Sequence, residues 1–168
     1  MPFLVQSGMA CSSGNSGMAS LPIELAERHH ELFFEIGNVA VLLFRAMKSD
    51  GTKPIVGETR RELGAKPGAP PDGDIPVDAF GRVEAGTGGM SVAPCEVKHL
   101  PRHRRPPAFG GEGRDPVFFL SASLLPESLA VRMDRPTHAM VEPTSRCTFI
   151  EYQEALHATR PTWELYHV

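Results

Sequence analysis

The chain has 168 residues, enough for one domain with a substantial core, and its 41% hydrophobic and 22% charged residues are the proportions of a soluble globular protein. A net charge of -3 excludes the broad basic field that a general duplex nucleic-acid or membrane-surface binder requires. Three cysteines, Cys11, Cys95 and Cys147, cannot all pair within one chain and contain no CxxC, which points to a reducing compartment.

No stretch reads as an address or a membrane span. The longest apolar run, Val39 to Phe44, falls far short of the roughly 20 residues a bilayer demands. No basic region precedes the short apolar start, so export would have to proceed without a cleaved signal.

Residues 1–20, rich in Ser, Gly and Met, form a tail with little to hold it in a core. Ser20 can cap a helix starting near Leu21-Pro22, whose face of Leu21, Leu25, Leu32, Phe33 and Ile36 would dock on the core until Gly37-Asn38 ends it. Asn38 to Met47 reads as a buried strand, with Val41, Leu43 and Arg45 on one side and Leu42, Phe44 and Ala46 on the other. A guanidinium at the end of so apolar a strand must find an anion or water. Arg45 is therefore either a structural ion-pair partner or a fork for a phosphate or carboxylate.

Sixteen prolines and sixteen glycines predict many long loops, and the segment from Ser49 to Pro76 is the clearest of them. Glu58 to Leu63 could form one or two helical turns inside it, and Ile75 to Val83 resembles a short extended segment with a turn at its end. Next comes Glu84-Ala85-Gly86-Thr87-Gly88-Gly89-Met90-Ser91-Val92. Three glycines within four residues allow close approach to the main chain, and Ser91 stands where the chain stiffens into a strand. An ordinary surface turn and a cofactor-binding turn are both built in this way.

Cys95, His99 and His103 have the spacing of helical metal ligands, but Pro101 disrupts the helix that would align them, and no metal site is expected. Arg102, Arg104 and Arg105 read as a solvated loop or a phosphate-contacting one. Strands follow at Pro116 to Leu120, at Leu129 to Met133 and at His138 to Glu142; in the last, His138, Met140 and Glu142 share a face. Thr148-Phe149-Ile150-Glu151 is a capping box opening a helix that reaches about Thr159, and the lone Trp163 packs the C-terminus down. This order gives an α+β domain over residues 21–168 with a curved or split sheet, and no Rossmann or P-loop fingerprint is present.

The pieces Leu43-Phe44-Arg45-Ala46, Asp50-Gly51, Gly86-Thr87-Gly88-Gly89-Met90-Ser91-Val92, Pro116-Val117-Phe118 and Thr137-His138 through Pro143 resemble a family of interbacterial type VI secretion effector toxins. The resemblance implies an ADP-ribosyltransferase-like fold: two packed, mostly antiparallel sheets, a few short helices, and a cleft holding NAD in a bent form. It implies a toxin acting on an unidentified macromolecular acceptor in the cytoplasm of a target bacterium, restrained in the producer by an immunity protein. Plain NAD hydrolysis and a noncatalytic binding module are the alternatives. By the same resemblance Arg45 would hold an NAD phosphate, Gly88, Gly89 and Met90 would line the cofactor cleft beside Ser91, and His138 would orient the ribose. Glu142 would accept a hydrogen bond from the nicotinamide ribose, or stand as a solvated strand-end carboxylate. No Gln-x-Glu or Glu-x-Glu motif is present.

Overall fold

The computed structural model describes residues 41–167, of which those from Leu42 onward form one compact unit. The tail at 1–20 and the helix expected from Leu21 lie outside the described residues, as does the expected start of the first strand at Asn38. The architecture is α+β, with two antiparallel sheets and one α-helix among the described residues. The strands are β1 (Leu42–Ala46), β2 (Arg82–Val83), β3 (Met90–Pro94), β4 (Val117–Ser121), β5 (Leu129–Arg135), β6 (His138–Pro143), β7 (Cys147–Thr148) and β8 (Glu164–Leu165). The helix α1 is Phe149–Ala158. Six strands pair in the order β5-β6-β3-β1-β4-β8, while β2 and β7 form a separate ribbon.

The large sheet is split in the way its Gly/Pro-broken strands suggested, and β3 is the strand shared by both halves. Its first part pairs with β6 (Met90↔Val141, Ser91↔Met140, Val92↔Ala139), and its end pairs with β1 (Phe44↔Ala93, Leu43↔Pro94). Past the Phe44↔Ala93 pair, toward Arg45 and Val92, β1 and β3 are no longer paired, and the Ser91 carbonyl accepts instead from the Arg45 guanidinium, 2.5 Å away.

The alternation read in β1 is present. Phe44 and Ala46 join Ala93, Val97, Leu100 and Val117 in one apolar cluster, with Leu42, Phe119 and Tyr166 against it. Leu43 and Arg45 point the other way, and their β4 partners, Leu120 and Phe118, are fully buried with them. Helix α1 begins with the expected capping box: Thr148 Oγ1 accepts from the Glu151 amide at 3.1 Å, and Glu151 Oε2 accepts from the Thr148 amide at 2.8 Å. Trp163 is fully buried and donates its indole N–H to Thr159 Oγ1 at 3.0 Å, so it does pin the C-terminal segment.

Two expectations for the long loop need correction. Glu58 to Leu63 is not helical: it holds a single hydrogen-bonded turn, Glu62 N–H to the Thr59 carbonyl at 3.0 Å, while the carbonyls of Arg60, Glu62 and the neighbouring Gly64 each accept from Arg45 Nη2 at 3.3 Å. Ile75 to Val83 has its turn near the end, Gly81 N–H to the Asp78 carbonyl at 3.0 Å, but its strand is only the two residues of β2, while Ile75 itself bridges to Pro67 and Gly68. The loop is anchored to α1 by Gln153, whose side-chain amide makes paired 2.9 Å bonds to the amide and carbonyl of Ala65.

Candidate functional site

Where the two halves of the large sheet part, a cleft of about 640 Å³ opens, within the range usual for small-molecule sites. Arg45 and Ala46 of β1, Ser91 to Ala93 of β3, His138 and Met140 of β6, and Arg132, Asp134 and Arg135 at the turn end of β5 contribute to its walls. Loops complete it with Arg60, Asp74, Gly88, Gly89, His99, His103 and Arg104. Five arginines and three histidines face two aspartates there, in a chain whose overall charge is -3. So local an excess of cationic groups suits an anionic ligand.

Arg45 is only 5% exposed, and its charge has no carboxylate within hydrogen-bonding distance among the described residues. Desolvation lowers its pKa to about 10, against the opposing pull of nearby Asp74, so it stays protonated at neutral pH. With two guanidinium nitrogens holding four main-chain carbonyls, Arg45 is a clasp between β1, β3 and the 60–64 loop. Its Nε–H has no hydrogen-bond partner among the described residues. It therefore offers the cleft a fixed positive charge more than a free fork.

Arg104 fits the fork better. It is half-buried on the cleft wall, and burial lowers its pKa. Only its Nη1 is engaged, to the Arg60 carbonyl at 3.0 Å, leaving Nε and Nη2 without hydrogen bonds among the described residues. The basic cluster is thus divided by geometry: Arg102 pairs with Glu112 in solvent and Arg105 Nε donates to the Leu100 carbonyl, while Arg104 faces the cleft. His99 and His103 also line it, but the described residues hold no group of three candidate metal ligands.

Ser91 is partly exposed on the wall, and its hydroxyl makes no hydrogen bond to a described residue. Gly88 and Gly89 lie beside it, but their small size is required by the protein itself. A Cβ on Gly88 would stand 2.3 Å from the Asp74 carbonyl oxygen, and one on Gly89 2.4 Å from that of Val141. Three main-chain segments meet at that point, which the sequence reads only as freedom of approach. Met90 is fully buried and does not line the cleft; its amide donates to the Tyr152 hydroxyl at 2.9 Å.

Glu142 does not line the cleft either. It is buried, and its Oε2 accepts from Arg132 Nε at 2.8 Å and from the Gly86 amide at 3.1 Å. It is neither a ribose acceptor on the wall nor a solvated strand end. It steadies Arg132 and the glycine turn from behind.

His138 stays on the wall and carries a partner that the sequence reading passed over. Its Nδ1 is 2.6 Å from Asp134 Oδ1. The β5–β6 ladder shifts register between Met133 and Arg135, so Asp134 is the extra residue of a bulge opposite His138. Although desolvation works against it, the hydrogen bond and charge of His138, together with Arg135, hold the Asp134 carboxyl below its ordinary pKa. A strand-end Asp four residues before a His across a two-residue turn was the available signal; the bulge that joins them was not readable.

Fold and site together define an α+β protein with a cationic, ligand-sized cleft in a split antiparallel sheet. No protein family, curated protein or solved structure matches the chain. No helix among the described residues is long and apolar enough to cross a membrane.

Proposed function

We propose that the cleft binds NAD and that the protein is a toxin of the ADP-ribosyltransferase type, with an ADP-ribosyltransferase-like arrangement of its sheets. It would act on a macromolecular acceptor in the cytoplasm of a target bacterium and be held in check in the producing cell by an immunity protein. The observation that carries this reading is convergence: the Arg45 guanidinium and the Ser91 main-chain carbonyl, 46 positions apart, meet at 2.5 Å, and both residues line one cationic cleft. Breaking the nicotinamide–ribose bond expels a neutral leaving group and leaves positive charge on the sugar. A clamp for the pyrophosphate and a shaped slot then supply most of what is needed. Arg104, backed by the fixed charge of Arg45, is the clamp; Ser91 faces the reacting region.

The test is induction in a bacterium with cellular NAD and ADP-ribose-modified species followed together, for the wild type and Ser91→Ala. Growth arrest with both changing, lost in Ser91→Ala, is the expected result. Loss of NAD without modified species would assign simple hydrolysis. No change in either, with a stable partner recovered, would replace the enzyme with a binding module.

A further inference from the structure

We propose that His138 is the general base of the cleft and that Asp134 positions it. This rests on the reading of the cleft as an NAD site. An ionised carboxylate can only accept, so the 2.6 Å contact makes His138 Nδ1 the donor, and in the neutral form of the ring Nε2 keeps the lone pair that a base uses. Ser91 faces Met140 across the β3–β6 ladder, and His138 lies two residues along β6 on the same face. The imidazole and the hydroxyl therefore share one wall, with Arg132 and Arg135 flanking the pair on β5. Glu142, turned away to Arg132, leaves Asp134 and Asp74 as the carboxylates lining the cleft. Asp74 is taken up by Arg60 Nε at 3.1 Å and the Lys66 amide at 2.8 Å. Of the three histidines lining the cleft, His99 bonds the Pro94 carbonyl through Nδ1 at 2.6 Å and His103 has no carboxylate partner among the described residues, so His138, oriented by Asp134 beside Ser91, is the one built as a carboxylate–imidazole pair.

In the step, the O–H bond of an attacking water or acceptor hydroxyl breaks and its proton passes to His138 Nε2. The oxygen lone pair forms the new bond to the ribose anomeric carbon. The bond from that carbon to nicotinamide breaks, and its electron pair stays on the ring nitrogen, so nicotinamide leaves neutral.

Azide provides the discriminating measurement, because it is a nucleophile with no proton to give up. Nicotinamide release from NAD and formation of an azido-ADP-ribose product are measured for the full chain, His138→Ala and Asp134→Asn. Loss of a general base lowers kcat by about 10²–10⁴-fold. We expect a fall of that size in His138→Ala and a smaller one in Asp134→Asn, with KM for NAD little changed and azide product formed at the wild-type rate in both. Unchanged kcat in either variant would overturn the assignment while leaving the NAD reading intact. So would a fall that azide does not relieve. A wild-type chain that releases no nicotinamide would instead remove the NAD reading, and this assignment with it.

Discussion

Arg45 and Ser91 touch, yet they answer different questions when changed. Truncating Arg45 strips a buried charge from four carbonyls, those of Ser91, Arg60, Glu62 and Gly64. Each buried acceptor left without its donor typically costs about 1–3 kcal/mol. Arg45→Ala is therefore expected to shift the denaturant midpoint strongly, and its loss of toxicity would report unfolding more than a missing phosphate contact. Ser91→Ala removes a hydroxyl with no bond to a described residue, so unfolding measurements should place it within about 0.5 kcal/mol of wild type. Turnover, not stability, is what Ser91→Ala should lose. Both residues could be picked out in the sequence because each breaks a local pattern: a charge in an apolar strand, a hydroxyl after clustered glycines. Arg104 and Asp134 break none. One sits among arginines that face solvent, the other in a polar hairpin, and only the tertiary path of the chain turns them toward the cleft.

At the level of elements, the β3–β6 ladder is completed at its Met90↔Val141 end by a side chain from the helix. The Tyr152 hydroxyl donates to the Val141 carbonyl at 2.6 Å on β6 and accepts from the Met90 amide at 2.9 Å on β3. Burial pushes this hydroxyl above its ordinary pKa, so it remains a neutral donor. Tyr152→Phe would leave a buried amide and a buried carbonyl unsatisfied, at a cost of about 1–3 kcal/mol, to be read from thermal or denaturant unfolding. The capping box made α1 legible from four letters of sequence, because local chemistry alone starts a helix. The 58–63 segment departs from a helix for the converse reason: two of its carbonyls serve a guanidinium 15 and 17 positions away, which no local rule reveals. The loop is also tied to the entry of β4 by a two-pronged contact, Arg61 Nε and Nη2 to Asp115 at 2.7 and 2.5 Å. The hydrogen bond from Arg61, above all, lowers the Asp115 pKa. A carboxyl depressed in the folded state stabilises it above the unfolded value of about 3.9 and ceases to do so as pH falls through the folded value. The stability gap between wild type and Asp115→Asn should accordingly be full near neutrality and close in acid below that pH, in unfolding curves recorded across the range.

Over the whole molecule, charge is distributed unevenly: acidic in sum, but cationic where the sheet divides. Seen from far away, such a protein repels an anion; within the cleft the five arginines dominate. The ligand must therefore be drawn in at short range, where low-dielectric walls concentrate the field. Raising ionic strength from about 0.01 M to 0.15 M shortens the screening length from about 30 Å to about 8 Å, so exposed cleft charges would lose much of their pull while the buried Arg45 would lose little. ADP-ribose, whose pyrophosphate carries the charge without the nicotinamide, separates this attraction from catalysis. Calorimetric titration should show its affinity falling with added salt, and Arg104→Gln should both weaken binding at low salt and flatten that dependence. A wild-type affinity insensitive to salt would mean that ligand recognition in the cleft does not run through its arginines, and the pyrophosphate clamp assigned to Arg104 would have to be abandoned.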